Sequence, residues 1–263
     1  TRQSAGSRTE AQVIAANVDI LLLVTSANAD LNLRRMERYL TLAWESGAKP
    51  VIVLNKSDLH QNLDEIHQEL ESISLGVDIF MVSAQTGQGL NKLKTLIKPG
   101  VTLALVGSSG VGKSTLINSL GATGDIPYQA TQNIREDDAK GRHTTTHREL
   151  FLLPEGGLLL DTPGMRELKI WMAEEGLGQS FSDIQDLARH CRFRNCRHEQ
   201  EEGCAILEAI EDNDLSSERL NNYRKLQREE AWVEQKANPG LQSNAKKRYK
   251  QLSKTIRNIQ KQR

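Results

Sequence analysis

The sequence predicts an α/β domain with a mainly parallel sheet and helices on both faces, followed by a smaller α-helical domain. Short apolar runs alternate with segments of helical spacing over residues 18–121, which is typical of a doubly wound parallel sheet. A glycine-rich loop, GSSGVGKS at 107–114, follows one of these runs and opens a helix. After Trp171 the alternation stops, and a cysteine cluster is followed by helical patterns only.

The individual elements follow from hydrophobic periodicity. Short apolar runs rich in branched residues indicate buried strands, whereas apolar residues three or four positions apart indicate helices. The predicted strands are 18–25, 50–55, 77–84, 101–107, 149–154 and 157–164. The predicted helices are 33–47, 62–75, 89–97, one starting at about residue 113, 205–211, 216–236 and 243–261. The stretch 122–148 is polar without periodicity, so we predict a long functional or mobile loop there.

Basic and acidic residues balance over the 263-residue chain, 34 against 34, so the net charge does not indicate a partner. Their distribution is uneven, because twelve Lys or Arg and three Glu lie between Arg224 and the C-terminus. Such a tail suits nucleic-acid phosphates, and it is equally typical of a solvated helix face. No apolar run approaches the ~18 residues of a membrane span, and the chain opens without an apolar signal core. We therefore expect a cytoplasmic protein that does not contact membranes, and we separately predict that it is a monomer.

The glycine-rich loop has the pattern of a phosphate-binding loop. Its three glycines allow the backbone to curl so that successive N–H groups point inward, and the helix that follows adds its positive end. Lys113 can reach the β- and γ-phosphates of a triphosphate, and Ser114 can bind Mg²⁺. The predicted phosphate-binding residues are Gly107, Ser108, Ser109, Gly110, Val111, Gly112, Lys113, Ser114 and Thr115.

Two later peptides can complete a triphosphate site. In DTPG (161–164), Asp161 can approach Mg²⁺ and the Gly164 N–H can sense a γ-phosphate, although these residue types are also common in ordinary turns. In the run 144–146, Thr144 and Thr145 are candidates for nucleotide contact, and any single Thr of the run also fits a solvated loop. We assign the magnesium ligand of this run to Thr145, and Thr144 and Thr146 stay open as alternatives. The predicted magnesium ligands are thus Ser114, Thr145 and Asp161.

NKSD at 55–58 has the pattern of a guanine-reading loop. Guanine presents N1–H and N2–H₂ on one edge, and the Asp58 carboxylate can accept both as charge-assisted hydrogen bonds. Adenine lacks these donors and would leave the carboxylate unpaired. Asn55 would brace the base and the loop, Lys56 would lie on the ring, and the backbone of SAQ (83–85) can donate to guanine O6. Alone, the tetrapeptide also fits a helix N-terminal turn. The predicted guanine-binding residues are Asn55, Lys56, Ser57, Asp58, Ser83 and Ala84.

The order of these motifs is reversed relative to an ordinary guanine-nucleotide domain. NKSD and SAQ come first, and GSSGVGKST, TTT and DTPG follow. A sheet tolerates such a reordering if the original termini are joined by a short link, and domain termini often lie close together. KPG at 98–100 would be that link, so we predict a circularly permuted P-loop GTPase domain over 17–172. Because the chain leaves this domain after DTPG, we expect loss of a γ-phosphate to reposition the part that follows.

Three cysteines and a histidine are clustered in the predicted helical domain, 173–263. The candidate ligands are Cys191, Cys196, His198 and Cys204. Their spacing, C-x4-C-x-H-x5-C, suits one structural Zn²⁺ in tetrahedral geometry, without an open position for chemistry. His190 is a rival ligand, and unligated buried cysteines are the alternative. Several arginines surround the cluster and, with the basic tail, could bind RNA phosphates; they are Arg189, Arg192, Arg194 and Arg197.

The sequence strongly resembles the RsgA (YjeQ) family of bacterial circularly permuted GTPases. The matching peptides are NKSD, GSSGVGKST, GRHTTT, DTPGMRE, AANVD (15–19), RRMERYL (34–40) and the cysteine cluster. The resemblance covers nearly the whole chain and implies hydrolysis of GTP to GDP and phosphate. It also implies a role in late maturation of the 30S ribosomal subunit, contact with its 16S rRNA, and stimulation by that subunit. Family members usually carry an N-terminal OB-fold, and we interpret residues 1–16 as the linker or a remnant of that region.

The resemblance also implies which residue orients the attacking water. Many GTPases place a glutamine after the DxxG glycine, but Met165 stands here and cannot hydrogen-bond water strongly. In the family a histidine just before the threonine run takes that role, and it matches His143, whose imidazole can orient a water or accept its proton. Two other interpretations stay open. One is a GTP-dependent switch with negligible turnover, and the other is a zinc-containing nucleic-acid binder with a relic nucleotide site.

Overall fold

The computed structural model describes residues 2–3, 11–12, 15–28, 31–121, 149–161 and 174–237, and the structural statements below concern these ranges. The strands of the main sheet are β3 Ile20–Ser26, β4 Lys49–Asn55, β5 Asp78–Met81, β6 Thr102–Val106, β7 Glu149–Leu152 and β8 Leu158–Asp161. They form one six-stranded sheet in the order β5-β4-β3-β6-β8-β7. Two short strands that the sequence did not predict, β1 Arg2–Gln3 and β2 Ala11–Gln12, form a separate antiparallel pair.

The main sheet is parallel except at one edge, where β7 runs antiparallel to β8. The prediction of a mainly parallel sheet is therefore confirmed. β3 lies in the middle of the sheet, with Leu22 opposite Val51 on β4 and opposite Leu105 on β6. All three of these side chains are fully buried. A strand that is covered on both faces is apolar along most of its length, which is why the sequence ILLLVTS strongly predicts a strand.

Four helices cover the two faces of the sheet. They are α1 Leu33–Glu45, α2 Leu63–Ile73, α3 Leu90–Lys94 and α4 Lys113–Gly121. α1 and α2 pack on one face, where Met36 and Leu70 join Leu23 and Ile52 in a buried cluster. α3 and α4 pack on the other face, against the alternate residues of the same strands. The turn at 98–100, where the Val101 N–H donates to Lys98 O at 3.0 Å, links α3 to β6 as predicted for KPG.

A helical module follows the sheet along the chain. It consists of α5 Glu174–Ser180, α6 Ser182–Ala188, α7 Ala205–Glu211 and α8 Ser217–Ala237. Its buried cluster centres on Phe181, Ile184, Ile206 and Leu220. Leu42 of α1 packs against this cluster and also against the α1–α2 side of the sheet, so the two cores meet at α1. None of the helices in the described ranges combines the length and the apolar character needed to span a bilayer.

The sequence did not predict α5 and α6, and the packing of α5 on α1 explains part of this failure. α5 contains Gly176 and Gly178, residues that weaken any helix signal. A Cβ on Gly176 would lie 2.2 Å from the carbonyl oxygen of Thr41 on α1, so only glycine permits this approach. The predicted loop 122–148 and the predicted helix 243–261 lie outside the described residues.

Candidate nucleotide site and metal cluster

The predicted nucleotide motifs meet at the carboxyl ends of adjacent parallel strands. β4 ends at Asn55, β6 runs into the glycine loop, and β8 ends at Asp161. The SAQ peptide starts two residues beyond β5. Since β5, β4, β3, β6 and β8 are neighbours in that order, these strand ends lie along one edge. This is the edge at which open parallel sheets bind ligands.

The Asn55 side chain joins three of the motifs. Its Nδ2 donates to Val111 O in the glycine loop at 2.8 Å. Its Oδ1 accepts from the Ala84 N–H of the SAQ peptide at 3.0 Å. Asn55 is only 2% exposed, so these bonds satisfy an amide that would otherwise be buried without partners. NKSD, SAQ and the glycine loop therefore form one continuous site.

The glycines of the loop are required by its geometry. Gly110 and Gly112 have φ values of +84° and +92°, which L side chains rarely adopt. A Cβ on Gly112 would also lie 2.4 Å from Nδ2 of Asn55. At the start of the loop, a Cβ on Gly107 would lie 2.3 Å from the carbonyl oxygen of Val24 on β3. The loop therefore packs closely against Asn55 on one side and against β3 on the other.

Lys113 is held over this loop at the start of α4. Its Nζ donates to Gly107 O at 2.8 Å and to Ser108 O at 2.6 Å, which fixes the ammonium group at the loop's opening. Further along α4, the Ser119 hydroxyl lies 2.7 Å from Ala84 O and ties the helix to the SAQ peptide. The sequence predicted the role of Lys113 but not this use of Ser119.

The base-reading peptide is exposed where a ligand would contact it. Lys56 adopts a left-handed conformation with φ +60°, which is uncommon for a residue other than glycine and recurs at functional sites. It precedes the short 3₁₀ helix Ser57–Leu59, and the Ser57 N–H donates to Val82 O at 3.1 Å. Asp58 on this turn is exposed. Its carboxylate is therefore accessible to a base.

The SAQ backbone is arranged differently from the expectation. The Ala84 N–H is engaged by Asn55, and the Ser83 N–H donates to Gln88 O at 2.9 Å. Both donors thus satisfy protein acceptors in this arrangement. For the predicted hydrogen bond to guanine O6, the Ala84 N–H would have to leave Asn55 Oδ1 or be shared between that oxygen and the base. This hydrogen bond stays a prediction.

Two of the predicted magnesium ligands, Asp161 and Ser114, lie within the described ranges. Asp161 is 2% exposed and ends β8, opposite Leu105 of β6. This position puts a buried carboxylate on the strand next to the one that leads into the glycine loop. Ser114 lies in the first turn of α4, directly after Lys113. His143, Thr144, Thr145 and Gly164 lie outside the described residues.

Arg35 of α1 also contacts the loop, and the sequence-based prediction missed it. Its guanidinium Nη1 donates to Ser108 Oγ. The available signal was weak: the first turn of α1 has two arginines and no acidic residue, although a helix N-terminus disfavours cations.

The four predicted metal ligands converge in the helical module. One ligand atom from each of Cys191, Cys196, His198 and Cys204 lies within 4.8 Å of all the others. The two sulfurs of Cys191 and Cys204 are 3.9 Å apart, and His198 Nδ1 lies 3.5 and 3.4 Å from them. A tetrahedral site with Zn–S bonds of about 2.3 Å places its sulfur ligands roughly 3.8 Å apart. The donor set therefore fits a tetrahedral metal ion.

The surroundings of the cluster favour the same conclusion. Desolvation, reinforced by the neighbouring Cys204 and Cys191 thiols, raises the pKa of the Cys196 thiol to about 11 when no metal is bound. Burial, followed by the charge of Arg224, lowers the pKa of His198 and favours the neutral imidazole that binds metals. His198 has φ +59°, a left-handed conformation that is uncommon for a residue other than glycine. The rival His190 places its Nδ1 2.8 Å from Asp186 O and is not among the converging ligands.

The segment 189–204, which carries the four predicted metal ligands, is called the metal loop here. A cavity of about 880 Å³ lies beside the metal cluster, between α6, the metal loop and α8. Its lining includes Tyr223 and four arginines: Arg189, Arg197, Arg224 and Arg228. Arg224 donates to His198 O and so links α8 to the metal loop. Two of the predicted surface arginines have acidic neighbours, because Arg189 pairs with Asp186 at 3.0 Å and Arg192 with Glu202 at 3.4 Å.

A mainly parallel sheet with NKSD, SAQ and a phosphate loop at one edge, in this chain order, defines a circularly permuted P-loop GTPase. The family model for the RsgA GTPases matches residues 1–171. The chain belongs to that family and is a GTP hydrolase.

Individual relatives agree with this family. The small ribosomal subunit biogenesis GTPase RsgA 2 of Listeria monocytogenes serotype 4b (strain F2365) is 48% identical over 248 residues, covering 94% of this chain and 71% of that protein. The small ribosomal subunit biogenesis GTPase RsgA of Methanosarcina acetivorans is 46% identical over 262 residues, with 99% and 70% covered.

Two solved structures are also similar to this chain. YjeQ from Thermotoga maritima has a TM-score of 0.59 at 32% identity, over 80% of this chain and 70% of that one. YloQ, described as a circularly permuted GTPase, has a TM-score of 0.56 at 28% identity, over 80% and 67%.

Proposed function

We propose that GTP hydrolysis by this chain serves the late maturation of the small ribosomal subunit, and that this subunit stimulates the hydrolysis. The names of the curated relatives support the ribosomal role. The bridge that Asn55 makes between NKSD, SAQ and the glycine loop is the observation that best supports a working guanine-nucleotide site. We also propose the cytoplasm as the protein's location, where that subunit is assembled in bacteria. The expectation of a monomer stays a prediction.

In the proposed mechanism, the glycine loop binds the phosphates and Lys113 neutralises part of their charge. Ser114 at the start of α4 and the buried carboxylate of Asp161 offer oxygen ligands that suit Mg²⁺, with Thr145 as the third proposed ligand. When bound, Mg²⁺ supplies positive charge at the β- and γ-phosphate oxygens. Catalysis of this reaction depends mainly on positioning and charge stabilisation, which the chain's loop donors and Lys113 provide.

The guanine specificity is proposed to come from Asp58. Its exposed carboxylate can accept the two donors of the guanine edge, and adenine offers no equivalent donors. Asn55 holds the peptide that carries Asp58 against the phosphate loop. The Lys56 side chain lies beside the phosphate loop, with its Cε 4.0 Å from a Cβ built on Gly112, and its aliphatic part is proposed to lie on the base.

His143 is proposed to orient the attacking water. We expect a His143→Ala variant to bind GTP with unchanged affinity and to release phosphate at least about a hundredfold more slowly, because general-base positioning typically contributes ~10²–10⁴-fold. The measurement is single-turnover phosphate release at saturating GTP. His147→Ala, four residues away, is the matched control. Release at the wild-type rate from His143→Ala would rule out the assignment.

The metal cluster is proposed to bind one structural Zn²⁺, and the arginine-lined cavity beside it is proposed to contact phosphates of the ribosomal RNA. Three thiolates and one imidazole leave no position open for chemistry, so the ion would stabilise the module. Four arginines around one cavity provide the positive charge that an RNA backbone attracts.

The overall proposal is tested by measuring phosphate release from GTP and from ATP, with and without purified small ribosomal subunits. We expect release from GTP only, and faster release when the small subunit is added; large subunits serve as the control. Equal rates with and without small subunits would contradict the stimulation. Tight GTP binding without release under either condition would indicate a switch instead of an enzyme.

A further inference from the structure

The first turn of α1 lies beside the phosphate loop because of the strand order. β3, which leads into α1, pairs in parallel with β6, which leads into the loop, and Leu23 in the middle of β3 stands opposite Val106, the last residue of β6. Arg35 is in that first turn. Its backbone N–H donates at 2.9 Å to the Asn32 side chain, which caps the helix, and its guanidinium donates to Ser108 Oγ.

Ser108 is therefore held by two cations at once. Its hydroxyl accepts from Arg35, and its carbonyl oxygen accepts from Lys113 Nζ at 2.6 Å. Both side chains are partly buried at this point. Removal of Arg35 would leave one of these two supports on the loop and would remove one positive charge from its vicinity.

The charge pattern of α1 is unusual for a helix that only packs on a sheet. Its first turn carries Arg34 and Arg35 and no acidic residue, although the positive end of a helix disfavours cations. Arg34 is exposed and pairs with Glu218 at 3.0 Å, whereas Arg35 turns to the loop. A residue that departs from a local helix preference and lies beside a ligand site is typically there for a functional reason.

We propose that Arg35 is a positioning residue for GTP, which acts through Ser108 to fix the phosphate loop and adds positive charge beside it. This inference rests on the proposed role of the loop in phosphate binding. It deepens that role by adding a cation from α1, an element outside the predicted nucleotide-binding motifs.

α1 can hold Arg35 in place because its other side is clamped to α8. Arg38 makes two hydrogen bonds to the Glu229 carboxylate, at 2.7 and 2.9 Å, and these lower the pKa of Glu229. Glu37 pairs with Arg219 at 2.6 Å where both side chains are buried. A shift of the first turns of α1 would break these contacts, so the helical module supports the position of Arg35.

The test compares four variants of the full chain: Arg35→Ala, Arg35→Lys, Ser108→Ala and the double variant Arg35→Ala/Ser108→Ala. Kd values for GTP and GDP are measured by titration, and kcat and KM are taken from phosphate release. Arg34→Ala is the matched control, because it removes a neighbouring arginine whose pair is exposed. Thermal unfolding of every variant separates a loss of binding from a loss of fold.

We expect Arg35→Ala to raise the Kd for GTP about tenfold, the effect of losing one charge-assisted hydrogen bond of ~1.5 kcal/mol. KM should rise with it while kcat changes less than about threefold, as expected when binding rather than chemistry is affected. Arg35→Lys should recover part of the affinity, since it keeps the charge but not the planar fork. The double variant should be no weaker than about the weaker single variant, because both remove the same contact.

Three results would overturn the proposal. They are a GTP Kd for Arg35→Ala within about twofold of wild type, additive effects in the double variant, and an equal loss in Arg34→Ala. If the wild-type chain bound GTP but released no phosphate, the proposed function would fail, and the Kd comparison would still decide the role of Arg35.

Discussion

The side-chain amide of Asn55 donates a 2.8 Å hydrogen bond to the carbonyl of Val111, joining the end of β4 to a loop 56 residues further along the chain. In an unpermuted domain the same two peptides would meet in the opposite chain order. The contact depends only on which strand ends are neighbours in the sheet, and β4 and β6 both flank β3. The circular permutation therefore leaves the site's geometry intact.

Gly112→Ala should abolish most nucleotide binding. Its Cβ would lie 2.4 Å from Asn55 Nδ2, and the φ of +92° is strained for any L side chain. We expect a loss of at least about tenfold in GTP affinity, since the Asn55 bridge must move or break. Gly100→Ala is the matched control, because its φ is +81° but nothing lies within 4 Å of a Cβ there. Similar GTP affinities for both variants would show that the clash with Asn55 is irrelevant.

Asp58→Asn should change the base specificity. The amide offers one acceptor and one donor where the carboxylate offers two acceptors, so it no longer matches the two donors of guanine. We expect at least about a hundredfold weaker GTP binding, because one buried polar group of the base loses its partner, with affinity recovered by xanthosine triphosphate, whose C2 carbonyl accepts. Competition titrations with both nucleotides measure this. The control is Asp64→Asn, which changes an acidic residue in the first turn of α2. Unaltered GTP preference in Asp58→Asn would contradict the assignment.

Cys204→Ser should remove the metal ion and loosen the helical module. Cys204 is 2% exposed, precedes α7 and lies in the module's buried cluster. We expect about one zinc per chain in the wild type and none in the variant, by elemental analysis, because structural zinc sites contribute directly to folding. Hydrogen exchange over 182–211 should become faster while the sheet is unaffected. His190→Ala should keep its zinc, and a variant Cys204→Ser that also kept it would exclude this ligand set.

Arg219→Met should detach the helical module from α1 or weaken its docking. The guanidinium donates to Glu37 at 2.6 Å, to Asp183 at 2.8 Å and to Ser180 O at 2.9 Å. Removing it leaves the buried Glu37 carboxylate without its cation, which costs ~3–5 kcal/mol of unfolding free energy. The exposed pair of Arg34 and Glu218 should be worth no more than ~1 kcal/mol.

The measurement is chemical denaturation of Arg219→Met and of Arg34→Ala beside the wild type. Equal losses of unfolding free energy in the two variants would mean that burial of the Arg219 pair has no consequence. If the module also holds Arg35 in place, Arg219→Met should weaken GTP binding as well, and Arg34→Ala should not.

Much of the sheet was predictable because it depends on local patterns. Continuous apolar runs such as VDILLLVT predicted central strands, and the structure has β3, β4 and β6 there. The glycines of GSSGVGKS predicted a tight loop between β6 and α4, and the positive φ values of Gly110 and Gly112 are a local requirement of such a loop. The predicted domain limits and the roles of the site residues stay predictions.

The contacts between distant segments were not predictable in the same way. An arginine in an amphipathic helix is usually a solvated residue, so no local pattern predicted the contacts of Arg35 or Arg219, although Arg35 lies in RRMERYL, one of the peptides that match the family. α5 was missed because its two glycines resemble a loop signal, although one of them, Gly176, is needed for the contact with α1.

By itself the sequence determined the chemistry of this protein: a phosphate loop, a base-reading peptide and four metal ligands, each specified by residue types at short spacing. Only the tertiary structure decided how these parts are joined, with Asn55 bridging three loops and α1 lying between the phosphate loop and the helical module. The physical reason is that backbone conformation and ligand chemistry are local properties. A hydrogen bond across 50 or 180 residues instead depends on strand order and close packing, which no short peptide encodes.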